Sequence, residues 1–320
     1  METHSTSPPS NLTLSIVKTK LLVAGDGDAN DMRSLRLDDG EVECVTEFKY
    51  LGSIVEAKGG IAQEVGERIA KASKAFGALR KPVFRDSNLS LRTKRKVYKA
   101  VVLGVLLYGS ETWTTKRNDV RRLEVFHNRC LKGILGITTA QQRTENLSSV
   151  QIAKHFGMEE SLEDLITARR LRWLGHVARM DEGRVPKRML FGWLPQKRPA
   201  HGTKMRWRDR ARKDLKKFGI AEGSWYKIAQ ERESWRGSCH AGLEDTTNKR
   251  VQEDELRRRR KAAELSGEVR SQFGEAIVLH FKCDTCQRAF RRRQDIVRHS
   301  CVTTRPKGQV ASRPAALSSM

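Results

Sequence analysis

Apolar positions along this chain repeat first with a period of two and then with a period of about 3.6. "LTLSIVKTKLLVAG" (12 to 25) alternates and then runs apolar with β-branched content, which predicts a strand ended by Gly25. "SLRLDDGEVECV" predicts a hairpin turning on Asp39-Gly40, with Leu37 opposite Val42 and Leu35 opposite Cys44 on one side of the ribbon. "FKYLGSIV" (48 to 55) predicts another strand. From Gly60 onward Ile61, Val65, Ile69, Ala72, Phe76 and Leu79 mark one helix face. A second helix opens at an N-cap Ser90 and carries Leu91, Tyr98, Val101, Val105 and Tyr108. A third, roughly 116 to 135, presents Leu123, Phe126, Cys130, Leu131 and Ile134, with Gly133 and Gly136 suited to its end.

Beyond residue 145 the pattern predicts a short helix in "SSVQIAKHFGM", which resembles half of a helix-turn-helix, and a long one in "SLEDLITARRLRWLGHVARM". Pro186, Pro195 and Pro199 punctuate the next stretch, and "TKMRWRDRARKDLKKFGI" and "SWYKIAQERESWR" read as further short helices. Residues 237–279 are polar and read as a charged linker, in which "EDELRRRRKAAEL" lacks a wide apolar face. The fold class that results is α+β, mainly α-helical. It comprises a disordered start (1–10), a β-ribbon (11–58), a helical bundle (59–145), a basic Trp-containing helical module (146–236), the linker (237–279), a small finger (280–302) and a disordered tail (303–320).

Charge changes the picture from architecture to partner. The 320 residues carry a formal net charge of +24, which favours a polyanionic partner, nucleic acid before an anionic membrane surface. Between residues 169 and 236, 20 Lys/Arg face 7 Asp/Glu, interleaved with Trp173, Trp193, Trp207, Trp225 and Trp235. Cations neutralise phosphates and aromatic rings stack on unpaired bases. Arg206, Arg208, Arg210, Arg212 and Lys213 are the densest cluster. Trp173 and Trp207 stand at helical spacing with other apolar residues and read as core. The longest apolar run, "AVVLGVLLYG", is about half of what a membrane span needs, so no membrane partner is expected. No secretory signal is visible, and "RRRRK" (257 to 261) suits an intracellular, nuclear location. No small-molecule substrate is indicated.

Four residues near the C-terminus point to a metal. Cys283, Cys286 and His299 stand at C-x2-C-x12-H, and Phe290 and Ile296 fall where a ββα finger places its small core. A structural Zn²⁺ takes four tetrahedral N or S ligands, and a unit this small needs the metal to fold. Cys301 is the fourth ligand of choice. It lies two positions past His299, about 200° around an ideal helix, so the helix must end at His299; His280 is the fallback. By finger geometry Arg292, Asp295 and Arg298 would face base edges, and Arg291 and Arg293 the backbone. Cys44, Cys130 and Cys239 stand alone and read as inert thiols, and His155 and His176 have no partner at ligand spacing.

Taken in order, "LTLSIVKTKLLVAG", "EFKYLGSIV", "AFGALRKPVF", "VVLGVLLYGSETW", "RRLEVFHNRCLKGILGI" and "LRWLGHVARM" resemble the C-terminal half of a non-LTR (LINE-type) retrotransposon reverse transcriptase, over about residues 11 to 236. The resemblance implies that 11–58 corresponds to the last palm motifs and 59–145 to the thumb. It puts Lys18 near the phosphates of an incoming nucleotide, and Phe48, Tyr50, Leu51 and Gly52 in the hairpin that grips a primer end. Polymerase chemistry needs carboxylates holding two Mg²⁺ ions about 4 Å apart. In that family they come from strands before "KTK", and eleven residues precede Leu12 here. Asp38-Asp39 lacks the aromatic residue two positions earlier, follows the Lys strand, and suits a hairpin turn better. "DGDANDMRSLRL" begins like an EF-hand, but Asp31 and Leu37 replace its Gly and Glu. The expectation is therefore a non-enzymatic remnant with no Mg²⁺ site that binds nucleic acid without sequence preference. The alternatives are a repurposed zinc-finger protein and a piece of an active polymerase.

Overall fold

The computed structural model of the chain describes residues 15, 18–23, 34–37, 40–57, 59–192, 206–266, 281–282 and 289–290. The expected disordered segments 1–10 and 303–320 and the finger's metal ligands lie outside them. Residues 1–256 form one compact unit and 257–320 another. The described residues are mainly helical, with two β-hairpins at the N-terminal side.

The first hairpin pairs β1 (Ser34–Leu37) with β2 (Gly40–Glu43), Leu35 opposite Val42 and Leu37 opposite Gly40. The expected register is corrected by two residues. Sidedness survives, because a two-residue shift keeps every side chain on its face. Gly40 at φ 140° supplies the backbone conformation beside the turn that a side chain would strain. Of the strand expected over 12–25, the described residues give backbone hydrogen bonds from the Lys18 and Thr19 N–H groups to the Ser15 carbonyl and a single bridge from Leu21 to Cys44. "FKYLGSIV" is also corrected: it is a second hairpin, β3 (Glu47–Tyr50) against β4 (Ser53–Glu56), as the family resemblance implies and the periodicity does not.

The helices begin and end where local chemistry dictates. α1 (Ala62–Leu79) widens into a π-turn at Arg80–Phe84, where Pro82 removes a backbone donor. α2 (Leu91–Val97) starts at Ser90, whose Oγ accepts the Thr93 N–H at 3.2 Å, and continues through a π segment (Tyr98–Leu103) into α3 (Gly104–Leu106). α4 (Arg117–Leu135) ends on Gly136 at φ 72°, whereas Gly133 stays inside the helix. α5 (Thr139–Thr144) and α6 (Ser149–Phe156) are capped by Thr138 and Ser148. α7 (Leu162–Ala178) is capped by Ser161. Then come α8 (Val185–Phe191), α9 (Trp207–Lys217), α10 (Trp225–Gln230) and α11 (Arg232–Ser266). The segment read as a linker from residue 237 is therefore helical as far as Ser266. Its first turns are held by buried Trp235 and Cys239, a tertiary anchor that its polar composition conceals.

Two cores meet in α7. The first gathers Val65, Ala72, Phe84, Tyr98, Leu106, Trp113, Leu123, Phe126 and Leu131, and is completed by Ile152, Phe156, Leu162 and Ile166. The second gathers Ala168, Leu171, Leu174, Ala211, Leu215, Phe218, Ala229, Trp235 and Cys239. α7 is thus buried around most of its circumference, and its exposed residues, Arg172 and His176, are too few for the base-reading face of a recognition helix after α6. Trp207 and Trp225 pack against the second core, and the Trp207 indole N–H donates to the Glu111 carbonyl at 2.8 Å.

Buried polar side chains tie the pieces together. Arg169 donates to the Leu107 carbonyl at 2.6 Å, and Arg170 donates to the Trp113 carbonyl and to Asp214 on α9. The "YGSETW" segment is thereby clamped on both sides by "ARRLRW". Gly175 lies so close to Trp235 that a Cβ there would collide with the indole nitrogen, and that indole donates to the Leu171 carbonyl at 2.9 Å. The glycine in "LRWLGH" is the condition for α11 to approach α7.

Candidate nucleic-acid interface

The β3–β4 turn is the most constrained surface feature at the N-terminal side. Leu51 at φ 48° and Gly52 at φ 83° both occupy the left-handed region, the signature of a tight two-residue hairpin turn. Leucine is a strained choice there, since left-handed backbone costs a side-chain-bearing residue about 1–2 kcal/mol. It is also 75% exposed, and Tyr50 beside it is 62% exposed. Phe48 is half-buried and Lys49 lies 3.8 Å from Glu67.

What holds this turn comes from the helices. Buried Glu64 accepts the Ile54 N–H at 2.7 Å and the Arg68 Nε–H at 2.6 Å. Arg68 donates through Nη2 to the Gly52 carbonyl at 2.7 Å and to Ser53 Oγ at 3.0 Å. The Arg68 guanidinium lies 4.5 Å from the centre of the Tyr108 ring, and the Tyr108 hydroxyl donates to the Leu51 carbonyl at 3.2 Å. Both carbonyls of the turn are thus held, and the apolar tip projects from a rigid base. Sequence reasoning missed Glu64, Arg68 and Tyr108. The available signal was an i,i+4 Glu–Arg pair on an otherwise apolar helix face. Lys18 is exposed in its turn and has no side-chain partner among the described residues.

The cluster on α9 divides by function. Ala211, Asp214, Leu215 and Phe218 face the core, and Arg206, Arg208, Arg212 and Lys213 are exposed. Arg210 is not free: it pairs with Glu163 at 3.0 Å and approaches Asp214 at 3.5 Å. Arg212 pairs with exposed Glu222 at 2.8 Å, a contact worth little in water. Arg208 and Lys213 have no carboxylate partner among the described residues. Burial pushes the Asp214 carboxyl up, and the Arg170, Arg210 and Lys217 charges pull it back.

The tryptophans mostly support the fold. Trp235 is fully buried, Trp173 is half-buried with its ring centre 5.2 Å from that of His176, and Trp225 stacks on Phe191 at 6.1 Å. Trp193 lies outside the described residues. Two of the three lone thiols are inert in character: burial pushes Cys130 up to about 12 and Cys239 up to about 11.

The finger's strands are described but its ligands are not. β5 (Phe281–Lys282) pairs antiparallel with β6 (Ala289–Phe290), bracketing the segment that carries Cys283 and Cys286. Cys283, Cys286, His299 and Cys301, with Arg291, Arg292, Arg293 and Arg298, lie outside the described residues. Among the described residues no group of three or more His, Cys, Asp or Glu is placed to hold a metal. Among them too, no helix is long and apolar enough to cross a membrane.

Over 201 residues the chain is 31% identical to an uncharacterized transposon-derived protein of Caenorhabditis elegans, a match that covers 61% of this chain and 70% of the relative. The chain belongs to that transposon-derived family. No protein-family profile matches it, and no solved structure does. Transposon ancestry is therefore carried by this one relationship, and the resemblance to a polymerase thumb rests on the residues themselves.

Proposed function

We propose that this chain is the strand-holding part of a non-LTR retrotransposon reverse transcriptase, binding RNA or DNA with little sequence preference and joining no nucleotides itself. The observation that carries this reading is the lock on the Leu51–Gly52 turn by Glu64, Arg68 and Tyr108. A strained, exposed apolar tip on a rigid base is a costly feature that suits contact with a ligand. Tyr50 and Leu51 would pack against a strand end while Arg206, Arg208 and Lys213 neutralise its phosphates. The membership in a transposon-derived family and the net charge of +24 support the same reading.

In this reading Cys283, Cys286, His299 and Cys301 hold a structural Zn²⁺. Three thiolates and an imidazole suit that ion, and the β5–β6 pair supports a ββα arrangement around it. The metal would supply folding free energy to the finger, with Arg291, Arg292, Arg293 and Arg298 free to meet nucleic acid. "RRRRK" supports a nuclear location.

A salt titration with labelled single-stranded oligonucleotides tests the binding. Affinity should fall steeply between about 50 and 200 mM salt, and a flat response would remove the basis for it. Magnesium-dependent primer extension by the purified chain would overturn the non-enzymatic part. Removing residues 280–320 should cost only a modest share of the affinity; near-complete loss would give the function to the finger instead.

A further inference from the structure

We propose that the cleft between α7 and the first turns of α11 is a second binding site, taking the phosphodiester backbone of a nucleic-acid strand; it rests on the nucleic-acid reading above and deepens it. The cleft has a volume of about 730 Å³ and is lined by Arg172, His176, Arg179, Arg232, Trp235, Arg236 and His240. Six of these seven side chains carry, or on protonation would carry, positive charge.

The arrangement follows from helical spacing and one close approach. Arg172, His176 and Arg179 recur at i, i+4 and i+7 along α7 and its C-cap, and Arg232, Arg236 and His240 at i, i+4 and i+8 along α11, so each set forms one row. The contact of Trp235 with Gly175 and its hydrogen bond to Leu171 bring the two rows to opposite walls of one cleft, with the indole as its floor. Arg172, Arg232 and Arg236 are exposed and have no carboxylate partner among the described residues. Arg179 donates to the Ala229 carbonyl at 2.6 Å, which fixes it at the wall. Among the described residues the acid paired with a lining side chain is Glu244, 3.5 Å from His240 and exposed.

Like charges gathered with one exposed counter-charge among the described residues, Glu244, repel one another, and an anion relieves that repulsion. Guanidinium groups present planar donor forks that match phosphate oxygens. A row eight residues long covers about 12 Å, enough to meet more than one phosphate of a strand. A free phosphate would engage only part of such rows.

The test uses the full chain, a labelled single-stranded oligonucleotide and inorganic tripolyphosphate. R172Q/R236Q should weaken oligonucleotide binding about tenfold at moderate salt and lower the salt slope by about one to two. R143Q/K154Q removes two equally exposed charges elsewhere and should change affinity less than about threefold. Both double variants should melt with the parent, and R172K/R236K, which keeps the charge, should retain most of the binding. Equal losses in R172Q/R236Q and R143Q/K154Q would overturn the cleft while leaving nucleic-acid binding intact. No oligonucleotide binding by the parent chain would overturn the proposed function and the cleft with it. Tripolyphosphate binding as tightly as the oligonucleotide would overturn the assignment to a strand.

Discussion

Gly175 and Trp235 are in such close contact that the indole fills the volume a side chain at residue 175 would need. Trp235 is fully buried and its N–H is committed to the Leu171 carbonyl, so the ring has no room to yield. G175A should therefore cost about 1–3 kcal/mol by overpacking. Thermal melting checks this; an unchanged midpoint would mean that α11 is not seated on α7. W235F removes the N–H donor and the five-membered ring together and should cost about 2–3 kcal/mol through the lost hydrogen bond and the cavity left behind.

Arg170 and Asp214 form a fully buried ion pair between α7 and α9. R170M leaves buried Asp214 with the more distant Arg210 as its cation and should cost about 3–5 kcal/mol. The double variant R170M/D214L removes both charges and should recover much of that loss. If the double variant were no better than the single one, the Arg170 contact to the Trp113 carbonyl rather than the ion pair would be the stabilising element.

Leu51 offers a test in which stability and binding move in opposite directions. Asn tolerates a φ of 48° better than Leu does, so L51N should stabilise the chain by about 0.5–1 kcal/mol. The same change removes the exposed apolar tip and should weaken strand binding several-fold. Gains in both properties would show that the tip takes no part in recognition.

Arg68 is the residue on which the turn depends most. R68A removes the donor to the Gly52 carbonyl and leaves Glu64 buried with only the Ile54 N–H. Faster hydrogen exchange in β3 and β4, with α4 and α6 unaffected, is the expected result. Uniform acceleration across the unit would place Arg68 among general core residues instead.

The pH dependence has a definite sign. Burial holds His127 at about 4, with Nδ1 2.8 Å from the Tyr98 hydroxyl, against about 6.5 for the unfolded chain. The unfolded state therefore binds more protons between those values, and stability is lost as pH falls from about 6.5 toward 4, by about 3 kcal/mol. Above pH 6.5 the group makes no pH-dependent contribution. Glu124 and Asp214 are raised by burial and work in the opposite direction at the acid end. The difference between the parent and H127Q isolates the histidine; parallel stability curves for the two would contradict its burial as a neutral ring.

Much of the helical layout was legible because its signals are local. Ser90 caps α2, Gly136 ends α4, and the apolar faces of α1 and α4 lie where their periodicity places them. Of the candidate interface, the basic α9 and the tip at Leu51–Gly52 were named from residue types and family resemblance. The residues that hold the tip were not, because Glu64 and Arg68 reach it across 10 to 16 positions and Tyr108 across 57.

By itself, then, the sequence determined which segments coil, where most helices start and stop, which side of the first hairpin is apolar, and that the surface is cationic. Each of these depends on contacts within a few residues or on composition alone. Tertiary structure decided the helical state of residues 237–266, the burial of Arg170 and the use of Gly175. Those depend on partners tens of positions away, and a buried charge or a missing Cβ has no local signature until its partner is in place.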